Sequence, residues 1–346
     1  MEVNGLVCHD LLVNKIKPKF SFNPKKSFTK WQSDLKSKFI ELNGIDDIRE
    51  NKCEANFTVE RIEQKDGYKE IKFSFFTEPM VQIPCYLLVP NSDKQKYPVV
   101  ITLQDHSTGV HNSVGKVEHD KDNIKAYTDY AVQAVKKGYI ALAVEQRSQG
   151  VTACQNGDFR WCRLNLFKED GNCYYDAVTS FLMGRTVIGE RCSDISFAID
   201  MLKNFPECDM DKLVITGFRI GGETAFYSAV YDERIKGCVP VDAFSSYKDD
   251  LLYRNNCSCS YIPSAYKYFD MPDLAGVIAP RKLTVVTDKN YGKKAYNDVV
   301  SAFDVVRKIY NKANNALSAK ISTTEYNMGW NKQVVWQEIE QIINSL

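Results

Sequence analysis

The sequence predicts an α/β protein: a mostly parallel central sheet with helices on both faces, preceded by an N-terminal helix and an antiparallel β extension. Three observations predict it. From Tyr97 onward, short continuous apolar runs such as Val99-Val-Ile-Thr-Leu103 and Tyr139-Ile-Ala-Leu-Ala-Val144 alternate with helical patterns, as strands do when crossover helices bury both faces of a sheet. Residues 55–89 instead hold short apolar runs parted by turn signals at Asp66-Gly67 and Glu78-Pro79, the mark of strands joined by hairpins. Between the later runs, Lys212-Leu-Val-Ile-Thr-Gly-Phe-Arg-Ile-Gly-Gly-Glu-Thr-Ala-Phe226 reads as a buried strand, a glycine-bounded corner and a tightly packed helix.

In chain order, residues 27–43 put Trp31, Leu35, Phe39 and Leu42 on one helical face, and Asn43-Gly44 stops the helix. Phe57, Val59 and Ile62, then Ile71–Phe76, then Ile83–Val89 supply the antiparallel strands. Val99–Leu103 is a strand, Asp120–Lys137 a helix and Tyr139–Val144 a strand. Ile195, Ala198, Ile199 and Leu202 form the buried stripe of the helix leading into the corner strand. Gly237–Val241 and Leu283–Val286 are strands, Asp298–Tyr310 is a helix, and a strand near Lys320–Glu325 precedes a last helix over Asn331–Ile343. The region 242–281 breaks the alternation and is expected to form loops and short helices over the top of the sheet. Without an internal repeat or low-complexity linker, residues 1–346 read as one domain, with 1–50 a helical extension and 55–346 the core.

Composition narrows the function classes. Forty-five basic residues against 44 acidic ones leave a formal charge of +1, and no basic block appears, which argues against nucleic-acid or membrane-surface partners. The chain opens without a basic-then-apolar leader and nowhere runs about 18 apolar residues together, so the expectation is a cytoplasmic protein. Eleven cysteines are an odd number without framework spacing, and most are expected to be buried thiols. The one close pair, Cys257-Ser-Cys259, has no second pair at zinc-ligand spacing, so no metal is expected there. No cofactor is expected, and the sequence carries no signal for oligomeric state.

Several ordered segments resemble the α/β-hydrolase superfamily, and within it the acetyl xylan esterase-like and dienelactone-hydrolase-like branch. The run Gly184-Arg-Thr-Val-Ile-Gly-Glu-Arg191, followed by Asp194 and Ala198-Ile-Asp200, is the most distinctive. Leu103-Gln-Asp-His-Ser-Thr-Gly-Val-His111, Ala143-Val-Glu-Gln-Arg147, Cys259-Ser-Tyr-Ile-Pro263, Phe269-Asp-Met-Pro-Asp273 and Ile278-Ala-Pro-Arg281 are similar to the branch as well. The resemblance implies the α/β-hydrolase fold, an oxyanion-hole amide from the loop after Leu103, and a nucleophile elbow at Gly217-Phe-Arg219-Ile-Gly221.

The triad implied by that family does not carry over. Arg219 stands where Ser is expected, and a guanidinium is always protonated and cannot attack a carbonyl. The acid position falls on Tyr291, with Asp288 as a displaced alternative, and the His position falls on Trp330. The histidine census needs no alignment: His9, His106, His111 and His119 are the whole set, so none follows the elbow. An α/β hydrolase runs nucleophile, acid, histidine in chain order, and losing such a triad forfeits roughly six powers of ten in rate. The expectation is therefore a pseudo-esterase with a binding or structural role; the alternative is an ester hydrolase using another constellation, with His106 or Ser107 in it.

Candidate ligand contacts are Arg219, Ile220, Gln104, Asp105, His106, Asp242 and Trp330, for a small anionic or carbohydrate-like ligand. Arg219 has two readings: internal pairing with Asp105, Glu145 or Asp242, or anion binding together with the Ile220 amide at the helix start. Trp330 and Tyr291 either fill the old pocket or line a flat site. His106, His111, His119 and Asp120 are suitable metal-ligand types, but without helical register they more simply contact loop backbone and solvent. Arg185, Glu190 and Arg191 are read as an internal ion-pair network before the elbow strand.

Overall fold

The structure, a computed structural model, describes residues 5–92, 94–106, 109–116, 128–153, 173–252, 256–290, 293–325 and 330–346. Three helices come first: α1 (Gly5–Lys15), α2 (Phe28–Leu42) and α3 (Ile45–Glu50). The antiparallel extension is β1 (Thr58–Lys65), β2 (Tyr68–Glu78) and β3 (Val81–Pro90). The alternating part follows with β4 (Tyr97–Leu103), α4 (Val110–Ser113), α5 (Tyr130–Lys136), β5 (Ile140–Val144), α6 (Cys173–Leu182) and α7 (Val187–Met201). It continues through β6 (Cys208–Phe218), α8 (Ile220–Tyr231), β7 (Gly237–Val241), α9 (Met271–Ile278), β8 (Lys282–Asp288), α10 (Lys293–Lys312), β9 (Ala319–Thr324) and α11 (Lys332–Ser345).

The nine strands among the described residues form one sheet in the order β1-β2-β3-β5-β4-β6-β7-β8-β9. Pairings from β1 through β3 to β5 are antiparallel; β5-β4-β6-β7-β8-β9 are parallel. The period-2 alternation of a strand divides the core in two. Val99, Ile101, Leu103, Leu213 and Ile215 join Leu35 and Phe39 of α2, Ile195 of α7, Phe226 of α8 and Val306 of α10 on one face. Val100, Ala141, Val214 and Val239 join Tyr130 of α5 and Trp336 and Ile339 of α11 on the other. Strands buried on both faces leave no polar row, which is why their apolar runs are continuous in sequence.

Two side chains of α2 anchor it, Trp31 to the segment before it and Gln32 to α9 and its C-terminal end. Trp31 Nε1 donates to the Phe20 carbonyl at 2.8 Å, and Gln32 Nε2 reaches the carbonyls of Gly276 and Ala279 at 2.6 and 2.8 Å. The expected ion-pair network is present and larger than its sequence segment. Arg147, just past β5, bonds Glu78 and Asp194, both at 2.6 Å, and Arg185 reaches Glu78 and, at 2.9 Å, Glu190. Arg191 contributes differently from expectation, donating from Nε to the Arg147 carbonyl at 3.0 Å.

Some boundaries differ from the sequence reading. α10 begins at Lys293 rather than Asp298, because its first turn carries no apolar periodicity to announce it. Of the helix expected over Asp120–Lys137, the described part is α5, and residues 117–127 lie outside the described residues. Among the described residues no helix is long and apolar enough to cross a membrane.

Candidate functional site

β6 ends at Phe218, α8 starts at Ile220, and Arg219 alone makes the corner with φ 48° and ψ −114°. Positive φ at a β-substituted residue stores strain, the conformation that exposes the apex side chain of an elbow. The corner is held from both sides: the Arg219 amide donates to the Val241 carbonyl at 2.9 Å, and the Arg219 carbonyl accepts from the Glu223 amide at 2.8 Å. The glycines are needed for approach. A Cβ on Gly221 would stand 2.4 Å from the Leu103 carbonyl oxygen and 2.5 Å from that of Gln104, and one on Gly217 would meet the Gly221 backbone at 2.4 Å.

Arg219 projects into a cavity of about 250 Å³ whose wall includes five carboxyl groups, from Asp105, Glu223, Asp242, Asp250 and Asp288, together with His106. The guanidinium lies 3.6 Å from the Asp105 carboxylate and is 39% exposed, so it faces both a partner and the open space. Phe218 lies under it, with the ring centroid 5.0 Å from Cζ. Asp105 is held by the His106 amide at 2.7 Å. Burial raises its pKa, opposed by the amides of His106 and Ile220 and by the Arg219 charge. The Ile220 amide, the donor expected to greet an external anion, lies near this carboxylate and works against the rise in its pKa.

Asp242 also stands at positive φ, 50°, and its Oδ1 accepts the Asp288 amide at 2.8 Å. Burial pushes its carboxyl up to about 6 against the bond from the Asp288 amide and the Arg219 charge, with the negative charge of Asp288 adding a smaller push. Glu223, one turn into α8, is pushed up to about 8 by burial. A cavity walled by these acids therefore carries neutral as well as ionised carboxyls near pH 7.

Arg219, Ile220, Asp105, His106 and Asp242 all line the cavity. Two expected ligand contacts do not. Gln104 is fully buried behind the site, where Nε2 donates to Glu145 at 2.8 Å and its carbonyl accepts from Gln146 at 2.6 Å. Trp330 is buried beneath α5, stacked on Tyr130 at 4.2 Å, its indole donating to Gln133 at 3.1 Å; Trp336 donates to the same oxygen at 2.8 Å. It fills core on the opposite face of the sheet rather than touching a ligand. Glu145 accepts from Gln104 and from the Val110 amide, so it is not a partner of Arg219. Asp288, at the end of β8, lines the cavity near the acid position; Tyr291, Ser107, His119 and Asp120 lie outside the described residues.

Sequence reasoning missed Glu223, although four residues past Arg219 is one helical turn. It also missed Cys173, which has no local signal. Cys173 meets His106 with Sγ 2.8 Å from Nε2 and meets Cys257 with 3.3 Å between sulfurs. Cys259 lies 3.9 Å from the same imidazole nitrogen. Cys257-Ser-Cys259, which lacks a second pair at zinc-ligand spacing in the sequence, meets further donors across the fold: His106, Cys173, Cys257 and Cys259 place one potential ligand atom each within 4.8 Å of one another. Spacing along the chain could not show this.

The sheet order and the strained strand-to-helix corner define an α/β-hydrolase. A model of the Abhydrolase family matches residues 2–332, and the chain belongs to that family. It is similar in fold to an acetyl xylan esterase candidate from Bacteroides fragilis NCTC 9343, with a TM-score of 0.75 and 19% identity over 94% of this chain and 83% of that one. It is also similar to a glucuronoyl esterase from Solibacter usitatus, with a TM-score of 0.65 and 12% identity over 96% and 99%. Among curated proteins, the candidate hydrolase YtaP of Bacillus subtilis (strain 168) is 26% identical over 204 residues, which span 57% of this chain and 62% of that relative's length.

Proposed function

We propose that the chain is a non-hydrolysing member of its family that binds a small hydroxyl-rich, carbohydrate-like ligand in the cavity above Arg219. One observation carries the reading: the apex of the elbow presents a guanidinium paired to Asp105, where an attacking oxygen would have to stand. The order that the family's mechanism requires has no imidazole to complete it, since His119 is the last histidine in the chain. The wall favours hydroxyls over a free anion. Among the described residues the wall holds five carboxyl side chains and one arginine, and that arginine is paired to Asp105. Carboxylates accept from sugar hydroxyls, while Glu223 and a fraction of Asp242 keep protons to donate. Two fold neighbours are named for esterases of xylan and glucuronoyl groups, in keeping with a sugar-sized cavity.

The test pairs turnover with binding. A panel of aryl acetates, acetylated xylo-oligosaccharides and glucuronoyl esters is expected to show no hydrolysis above background. Calorimetry with the deacylated sugars is expected to show binding that Arg219→Ala and Asp242→Asn weaken. One feature favours ester hydrolysis by another route: His106 is the imidazole that lines the cavity among the described residues. Hydrolysis of any ester in the panel by the wild-type chain would establish an active route instead.

A further inference from the structure

We propose that His106, Cys173, Cys257 and Cys259 form a Cys₃His site for a thiophilic d¹⁰ cation, Zn²⁺ above all, which clips together the segments along one wall of the cavity. The inference does not rest on what the cavity binds. The four donors come from three separate connections: His106 from the loop after β4, Cys173 from the first residue of α6, and Cys257 and Cys259 from the crossover between β7 and α9. Their ligand atoms all fall within 4.8 Å of one another, with separations of 2.8, 3.3 and 3.9 Å along three of the edges. A tetrahedron with zinc bonds of about 2.3 Å to sulfur and about 2.0 Å to nitrogen has ligand-to-ligand edges of about 3.5–3.8 Å. Adjustments below about 1 Å per edge thus admit an ion. Without one, three thiols and an imidazole crowd together with little to hold them.

The donor set selects the ion. Thiolates with one imidazole in tetrahedral array suit zinc rather than magnesium or calcium, which take oxygen. Four protein donors fill the shell and leave no position for a reacting water, so the site is structural. Its surroundings agree with bound thiolate. Arg191 Nη1 lies 3.8 Å from Cys259 Sγ, placing a positive charge beside a centre that would carry net −1. Cys173 and Cys259 are buried, whereas His106 and Cys257 reach the cavity wall. The ion would therefore fix the loop that carries Asp105 and His106 against the crossover opposite, and so set the width of the cavity.

The experiment uses the full chain purified under reductant without chelator. Elemental analysis is expected to find zinc at one per chain, and exchange with Co²⁺ to give intense d–d bands of tetrahedral cobalt with thiolate-to-cobalt charge transfer. Cys173→Ser and Cys257→Ser are expected to weaken Co²⁺ binding by more than the roughly tenfold lost when only an outer partner of a ligand is removed, whereas Cys53→Ser leaves it unchanged. Three results would overturn the proposal. These are wild-type protein that takes up neither Zn²⁺ nor Co²⁺ with its thiols reduced, a Cys173–Cys257 disulfide in the purified chain, or cobalt spectra that the two ligand variants do not alter. The wild-type spectrum decides the matter even if a variant fails to fold.

Discussion

Arg219 faces Asp105 across 3.6 Å at the apex of the elbow, a charge pair placed where the family's chemistry begins. Arg219 is 39% exposed and Asp105 only 17%, so solvent screens the pair from the arginine side, and such screened pairs contribute at most about 1 kcal/mol. Its consequence lies in what it blocks: the apex side chain serves an internal carboxylate.

The strain at this apex can be measured apart from the pair. Arg219→Ala and Arg219→Gly both remove the guanidinium, but only glycine accepts φ 48° freely. Arg219→Gly should therefore be more stable than Arg219→Ala by about 1 kcal/mol or more. Urea unfolding with unchanged m-values checks this, and equal midpoints would show that the corner stores no strain.

Gly221 should tolerate no side chain. An added Cβ meets the carbonyl oxygens of Leu103 and Gln104 at 2.4 and 2.5 Å, and these sit at the end of a central strand that cannot retreat. Gly221→Ala is expected to cost about 2–3 kcal/mol, seen as a lower urea midpoint. A midpoint within error of wild type would mean that β4 and α8 are less tightly packed than their backbones indicate.

The fold was legible because its signals are local. Continuous apolar runs mark the parallel strands, and the Gly217 to Gly222 spacing marks the corner. The site was legible only in part. Asp105, His106 and Asp242 were found because each follows a strand end that points at the same edge of the sheet. Of the two readings of Trp330, the filling of apolar volume is the one that matches its surroundings, although in the core under α5 rather than in the cavity, where the Gln133 oxygen shared by two indoles anchors it. Glu223 and Cys173 escaped because helical burial and a meeting of three distant segments leave no pattern in sequence.

Arg147 should be among the costliest single losses outside the hydrophobic core. It is buried between Glu78 and Asp194, and its removal leaves Asp194 without its bidentate partner and Glu78 with Arg185 alone among the arginines. Arg147→Ala is expected to cost about 3–5 kcal/mol. Arg185→Ala should cost less, because Glu78 keeps Arg147. Denaturant unfolding of both variants reads the order, and a larger loss for Arg185→Ala would reverse this account of the network.

Glu223 gives the pH dependence its sign. Burial raises its pKa from 4.5 to about 8, so between those values the folded chain keeps a proton that the unfolded chain has released. Stability then falls as pH rises, by at most about 1.4 kcal/mol per pH unit for this group. Asp242 and Asp270, raised by burial to about 6 and about 7, add to the same decline. Glu78 acts oppositely: burial alone would raise it, but its bonds to Arg185, Arg147 and Asn51 prevail and lower it to about 2. Its stabilisation is therefore lost as pH falls from 4.5 through 2. Glu223→Gln keeps the shape of the protonated acid and cannot ionise, so it should match wild type near about pH 5 and exceed it near about pH 9. Urea unfolding of both proteins across that range checks the crossing. A constant difference would mean that Glu223 titrates alike in the folded and unfolded chains.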